Sequence, residues 1–449
     1  MRCARSTVFA GLLCLAAAPA LAAAPTPPKT AWIGAWGDPP APPPPGSPDV
    51  VRIGRPPPAP GEPPSNMPIR LTPPPGLTIV PSDQNPDLAN VTIRKPVRIS
   101  AAARQIRIRL SNEDSDAPLA VGSVRVGRVG PGGQLTPIDN HVVTFDGRAS
   151  LMAPSGAPLI SDPIDMPAQA LETLIVSVYV PGAAHKVGHV AWQYVSPGPD
   201  TDAAPNGPVS LMKIPVLITR VDIAPVQPKS VLVALGDSIT EGDQSTTNAF
   251  KSWPDRLAER LNAAGLPWAV VNAGIGGNRL LHNGRGPSTL ARLDRDVLST
   301  PGVRAVILLE GINDIGRAVG SASSMTPEGL KAAGPASEAV TADDLIWADK
   351  QIIARAHAQG LRVYGATLTP FKGSAAYNET KEQIRETLNH WILTTDLFDG
   401  AIDFDAAVRD PADPQQYREG FTGFDHLHPN DAGYAAMAAA VDLGMFGGR

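Results

Sequence analysis

Val231-Leu232-Val233-Ala234-Leu235-Gly236-Asp237-Ser238-Ile239-Thr240 joins an unbroken apolar run to a turn of small and polar residues. Five apolar residues without alternation predict a strand buried on both faces, as in the interior of a parallel sheet. The segments downstream agree. Trp253, Leu257 and Leu261 recur every four residues and predict a helix that stops before Gly265. Val270-Val271 predicts a second strand, Leu290–Leu298 a second helix and Val303–Leu309 a third strand. Thr341 and Asp344 form a capping pair for a helix reaching Ala358, with Gly360 as its stop. Arg362–Leu368 predicts a fourth strand, Lys381–Leu393 a helix, and Ala401–Phe404 a fifth strand. A last helix starts near Asp431 and ends before Gly444. Strands alternating with helices specify a parallel sheet covered on both faces, here a three-layer α/β/α domain over residues 230–449. Gly316–Ala339, rich in Gly, Ser, Ala and Pro, is expected to be an inserted loop over one end of that sheet.

The chain changes character at Pro225–Lys229. Upstream the period is two: Ile106, Ile108 and Leu110 alternate with Gln105, Arg107 and Arg109. Similar short strands are predicted at Val121–Val129, His141–Phe145, Leu174–Val180, Val190–Val195 and Val216–Val221, separated by turn residues such as Gly130-Pro131-Gly132-Gly133. No amphipathic helix interrupts them, which predicts an all-β sandwich or jelly-roll-like domain within residues 23–226. Arg104, Arg107 and Arg109 are expected on a solvated strand face. Trp192 and Tyr194 share a face that is read as core, with stacking on a sugar ring as the sharper alternative. Of 49 prolines, 22 fall between Pro25 and Pro86. Such density cannot build sheet interior, so residues 38–86 are expected to run as stiff, extended surface chain. Ala31–Trp36 interrupts the prolines with an apolar strip, expected to be an early strand docked on the β-rich domain.

Arg2 and Arg5 precede the apolar stretch Val8–Ala18, and Ala20-Leu21-Ala22 comes next. That is the order of a secretory signal peptide over residues 1–22, and a run broken at Pro19 is too short to span a bilayer. The expectation is an exported protein, periplasmic or extracellular, with no stable membrane anchor. Both cysteines, Cys3 and Cys14, lie inside that segment. The mature chain is thus expected to lack disulfides, a thiol nucleophile and thiolate metal ligands. With 449 residues, 43% hydrophobic and 18% charged, the composition is that of a globular protein. A net charge of −5 excludes the broad basic surface that a nucleic-acid partner would need.

Ligands of parallel α/β sheets bind beyond the carboxyl ends of the strands, so the residues there carry the chemistry. Ser238 comes directly after the first strand, on a sharp turn. A serine hydroxyl is a weak nucleophile until a base takes its proton, and His428 supplies an imidazole that titrates near neutrality. Asp425, three residues earlier, can orient that ring and stabilise its cation. Negative charge developing on a substrate needs fixed donors: the main-chain N–H of Ser238, that of Gly277, and the side-chain amide of Asn313. Pro429 keeps His428 out of helical conformation, and Asn430 can cap the last helix. Residues alone leave His426 open as a rival base. Asp425, His426 and His428 also admit a metal reading, weakened by the lack of a His-Glu-x-x-His sequence. A Gly-x-Ser-x-Gly elbow and a Walker loop are both missing.

Gly236-Asp237-Ser238-Ile239, Gly277, Gly311-Ile312-Asn313-Asp314 and the Asp425/His428 pair, in this order, resemble the SGNH (GDSL-type) hydrolases over about Ser230–Arg449. Ile239 stands where the name motif has leucine. The resemblance implies Ser238 as nucleophile, Ser238, Gly277 and Asn313 as oxyanion donors, and Asp425 with His428 rather than His426 as the acid–base pair. It implies hydrolysis of carboxylic esters through an acyl-enzyme, with no cofactor and no metal. With export and a β-rich companion domain, the expected substrate is an acetyl ester on carbohydrate, a small-molecule or polysaccharide ester. The alternatives are a lipid or short-chain ester hydrolase of lysophospholipase or arylesterase type, and a non-catalytic carbohydrate-binding protein on the same fold. The Trp32/Trp36 opening and the β-rich region are more loosely similar to secreted bacterial members with an extra N-terminal domain.

Overall fold

Five parallel strands form the sheet of the second half of the chain: Ser230–Gly236, Trp268–Gly274, Val303–Leu309, Arg362–Ala366 and Gly400–Ile402. In space the second strand lies outermost beside the first, and the third, fourth and fifth come next in turn. Strand order therefore reverses between the first and third strands, and the crevice of such a sheet opens at that point. Val231–Leu235 is fully buried, as an uninterrupted apolar run at a sheet centre must be. Helix Trp253–Ala263 packs with Asp431–Ala440, and Ala342–Ala358 with Glu379–Thr394, completing three α/β/α layers. Thr341 and Asp344 cap their helix reciprocally, as their spacing predicts.

The computed structural model describes residues 31–41, 88–130, 133–183, 189–227, 229–316 and 338–447, together with the backbone of 78–80. The signal-peptide segment, most of the proline-rich stretch and nearly all of the expected loop at 316–339 lie outside the described residues. Among the described residues no helix is long and apolar enough to cross a membrane.

Upstream, the predicted all-β character holds, in two larger, mostly antiparallel sheets and a two-stranded one of Leu119–Val121 with Leu151–Ala153. Ile33–Gly37, Ile218–Pro225, Ala103–Ser111 and Pro158–Ile160 form one. The other has seven strands, including Val91–Arg98, Thr173–Val180, Ser123–Gly130, Val190–Pro197 and Ser210–Pro215. Ile106, Ile108, Val124, Val126, Val176 and Val178 are buried in a common core. On its other face the seven-stranded sheet buries Ile175, Tyr194 and Leu211 in a smaller cluster, with Trp192 half-buried against it. Tyr194 is thus core.

The strand Ile33–Gly37 joins the two halves. It pairs with Ile218–Pro225 and lies against Trp268–Gly274, the edge strand of the parallel sheet. The approach is close enough to require glycine: a Cβ on Gly37 would stand 2.6 Å from Val271 Cγ1 and 2.8 Å from the Asn272 oxygen. Ser100 clips the same edge, donating its hydroxyl to Ala35 (2.8 Å) or Val270 (2.9 Å) and accepting from Val270 N at 2.9 Å. Ala31–Arg449 accordingly form one compact unit.

Three local expectations are corrected. Arg109 is buried rather than solvated, its guanidinium meeting Glu113 at 2.8 Å and Thr219 at 2.7 Å. The fifth strand ends at Ile402, because Asp403 caps a short helix, Phe404–Val408, whose first residue packs on Trp253. The second helix is α-helical only over Thr289–Leu293 and widens to a π-turn at Asp294–Leu298.

Candidate active site

Ser238 opens a four-residue helix, Ser238–Glu241, directly after the central strand. Asp237 is its cap, accepting from Ile239 N at 2.9 Å. Across the crevice, residues 421–430 form a tied loop. Thr422 Oγ1 donates to the His428 oxygen at 2.9 Å, Tyr417 donates to the Leu427 oxygen at 3.0 Å, and Asn430 caps the last helix. Within it, Asp425 Oδ1 accepts from the main-chain N–H groups of Leu427 and His428, each at 3.1 Å. Asp425 Oδ2 lies 2.7 Å from His428 Nδ1, and His428 Nε2 lies 2.7 Å from Ser238 Oγ. Ser238, His428 and Asp425 thus form one hydrogen-bonded chain. His426 does not join it. Its φ of 52° turns the ring to Gly373, where a Cβ would stand 3.1 Å from the His426 Cγ.

Burial disfavours the imidazolium, but its hydrogen bond to Asp425 and the charges of Asp243, Asp425 and Asp237 outweigh it and raise His428 to about 9. Burial likewise opposes the Asp425 carboxylate, and its hydrogen bonds and the facing imidazolium reverse the balance, holding it at about 2. Asp237, pushed up by burial first, stands at about 6.

Gly277 lies on the loop after the second strand, and Asn313 in the short helix Ile312–Gly316 after the third. Gly277 has φ 73°, the left-handed region, and its main chain is overlain by Arg285, so that a Cβ would stand 2.6 Å from Arg285 Cδ. Asp314 holds the adjoining segment, accepting from Leu280 N (2.7 Å) and Leu281 N (3.1 Å). Asn313 Nδ2 donates to Asp237 Oδ2 at 3.2 Å.

Sequence patterns gave no sign of the charges beneath and beside these groups. Arg292, fully buried, donates to the main-chain oxygens of Gly236 and Ala273 and to Asn278 Oδ1, each at 2.8 Å. It also faces Asp296 at 3.0 Å and Glu310 at 3.8 Å. From the β-rich half, buried His189 stands between Asp38 (3.3 Å) and Glu241 (3.2 Å), the last residue of the Ser238 helix. Burial opposes its charge, and the two carboxylates raise its pKa nonetheless. Gln244 donates to Asp425 Oδ2 at 3.2 Å. None of these residues belongs to a short motif; only the folded chain brings them together. A cavity of about 170 Å³ adjoins the loop after Glu241, lined among others by Trp36, Trp192, Lys213, Asp243 and Phe250.

A parallel sheet between helix layers, with serine, histidine and acid at its carboxyl edge, has the architecture of the SGNH hydrolases. Residues 234–436 match the sequence model of the GDSL-like lipase/acylhydrolase family, and this domain belongs to that family of carboxylic ester hydrolases. No curated protein matched the sequence. Among solved structures, the chain is similar to a GDSL-like lipase from Bacteroides thetaiotaomicron VPI-5482. Identity is 17%, with 48% of this chain and 87% of that one covered and a TM-score of 0.33. It is also similar to an acetyl xylan esterase, AlAXEase, at 22% identity, covering 47% and 96%, TM-score 0.34. A third is a catalytic mutant of Axe2, an acetylxylan esterase from Geobacillus stearothermophilus, at 18% identity, covering 49% and 96%, TM-score 0.36.

Proposed function

We propose that the protein is an exported serine esterase in which Ser238, His428 and Asp425 act as a triad. Ser238 Oγ attacks the ester carbonyl while His428 takes its proton. The same histidine then protonates the departing alcohol, and water, activated in turn by His428, releases the acid from the acyl-enzyme. Asp425 keeps the ring oriented and stabilises its cation without itself accepting the proton. Ser238 N, Gly277 N and the Asn313 amide serve the oxyanion. The observation that carries the reading is the pair of 2.7 Å contacts from Ser238 Oγ to His428 Nε2 and from His428 Nδ1 to Asp425 Oδ2. A fluorophosphonate probe should label Ser238 and leave the Ser238→Ala variant unlabelled, with hydrolysis lost. Turnover by that variant at the wild-type rate would refute the assignment.

Acetyl esters on carbohydrate are the substrate class. Glu241 and Asp243 line the cavity beside the Ser238 helix and Arg285 overlies Gly277, charged groups suited to a hydroxyl-rich alcohol and costly to bury under a long acyl chain. An acyl-length series of p-nitrophenyl esters beside acetylated xylan tests this. Falling activity beyond short acyl groups is expected, whereas preference for long chains would favour a lipid ester hydrolase. Export rests on the order of charges and apolar residues in Met1–Ala22, and the first residue of the secreted protein tests it, with Ala23 expected.

A further inference from the structure

We propose that Gln244 is a positioning residue of the triad, holding the Asp425 carboxylate in register with His428; the proposal rests on Ser238, His428 and Asp425 acting as that triad. Asp425 receives four hydrogen bonds among the described residues. Two come from main-chain N–H groups of its own loop and occupy Oδ1. On Oδ2, His428 Nδ1 lies at 2.7 Å and Gln244 Nε2 at 3.2 Å. Gln244 is therefore the one donor that reaches Asp425 from another element. That element is the segment leaving the Ser238 helix, so the contact ties the nucleophile's end of the site to the acid's.

The local structure is built to hold this amide. Gln244 has φ 68°, a left-handed conformation that a non-glycine residue holds only where its surroundings impose it. They do. Asp243 Oδ1 accepts from Gln244 N at 3.2 Å, and the Tyr434 hydroxyl donates to the Asp243 oxygen at 2.7 Å. Thr246 donates through N and Oγ1 to the two oxygens of Asp431, at 2.7 and 2.8 Å. Gln244 Oε1 rests against Gly423, where a Cβ would stand only 2.8 Å away. With the oxygen placed there, Nε2 is left facing the carboxylate.

The chemistry asks for such a clamp. When His428 accepts the Ser238 proton, the ring's new charge is stabilised only if Asp425 Oδ2 stays in line with Nδ1. A neutral donor on the same oxygen fixes the carboxylate plane. It also lowers carboxylate basicity, which keeps the proton on the ring. The other titratable groups facing the pair are Asp243 and Tyr417 toward Asp425, and Asp243 and Asp237 toward His428.

The test is steady-state hydrolysis of p-nitrophenyl acetate across pH by full-length Gln244→Met, Gln244→Ala and Gln244→Glu. Methionine keeps the length without the donor. Gln244→Met and Gln244→Ala should lose about 10-fold in kcat, as for one hydrogen bond to a charged group, with KM little changed. Their acid limb should move to higher pH, and that of Gln244→Glu further still, because added negative charge holds the proton on His428. Wild-type kcat and acid limb in Gln244→Met would overturn the proposal, as would a rise in KM alone with the limb unmoved. Fluorophosphonate labelling of Ser238 separates the two readings. Labelling that persists while these profiles stay unchanged sinks the clamp and leaves the triad standing.

Discussion

Asn313 donates its side-chain amide to Asp237, the residue immediately before Ser238, across 3.2 Å. An amide nitrogen carries two hydrogens. With one engaged by Asp237, the plane of the amide is set and the second hydrogen is free for a substrate oxygen. The proposed oxyanion donor and the residue before the proposed nucleophile are thereby held against each other. Asn313→Ala should lower kcat by about 10²–10³-fold, the usual cost of one oxyanion donor, with a far smaller effect on KM. Stopped-time assays with p-nitrophenyl acetate measure both constants. Equal kcat in the variant would remove Asn313 from the mechanism.

The pH profile should be displaced to the alkaline side. As the proposed base, His428 can work only when neutral, and its pKa stands above the ordinary 6.5, at about 9. Activity should therefore rise with pH through a limb well above neutrality. Asp425→Asn removes the first of the groups that hold the proton on the ring. Its limb should fall towards lower pH while kcat drops by up to about 10⁴-fold. The linked stability has the opposite sense. A charged ring bound by carboxylates contributes to folding below pH 6.5, and that contribution is lost as pH rises through the folded pKa. The melting-temperature gap between wild type and Asp425→Asn should accordingly narrow at high pH.

Gly277→Ala should damage the site for two separable reasons. The added methyl would meet Arg285 Cδ at 2.6 Å, and φ 73° is strained for any residue with a Cβ. Arg285→Ala in the same chain removes the first cause and leaves the second, of about 1–3 kcal/mol. The double variant should recover part of the kcat lost by Gly277→Ala and never all of it. Full recovery would assign the whole effect to the clash.

Much of the catalytic half was legible because its information is local. Apolar runs such as Val231–Leu235 and Val303–Leu309 mark central strands, and Thr341 with Asp344 marks a helix start within a single turn. Ser238, Gly277 and Asn313 follow the ends of the first three strands, and Asp425 and His428 lie in the loop just before the last helix, so motif and topology pointed to one place. Arg109 was misread for a physical reason. Alternation identifies which strand face lies away from the sheet's own core, and says nothing of a second layer covering that face. Here Asp296, from the α/β half, adds its charge to those of Glu113 and Arg220 around the buried guanidinium. Gln244 and His189 were invisible for a related reason: the partners that matter are far away in the chain. Arg292 has a local partner in Asp296, but its acceptors at the strand ends lie 14 to 56 residues away and no spacing encodes them.

Arg292 provides the sharpest test of how the strand ends are held. Its guanidinium satisfies Gly236 O, Ala273 O and Asn278 Oδ1 at once, which joins the carboxyl ends of the first two strands beneath Ser238. Asp296 retains Arg295 as a partner, at 2.5 and 2.7 Å, if Arg292 is lost. Glu310 keeps the Thr289 hydroxyl at 2.8 Å and Gly311 N at 3.4 Å, and its carboxyl, already raised well above the usual range by burial, should take up a proton. Of the main-chain oxygens, Gly236 O keeps Ile275 N at 3.0 Å, while Ala273 O loses its side-chain donor. Arg292→Met should therefore destabilise the fold by about 3–5 kcal/mol, the cost of leaving buried polar and charged partners unmatched. Arg292→Lys should rescue little, since a single ammonium cannot reach acceptors spread around a planar fork. Urea unfolding monitored beside Ser238 labelling will show whether label is lost in step with stability. A Lys variant with wild-type midpoint would mean that charge alone, without the fork, suffices to hold the strand ends.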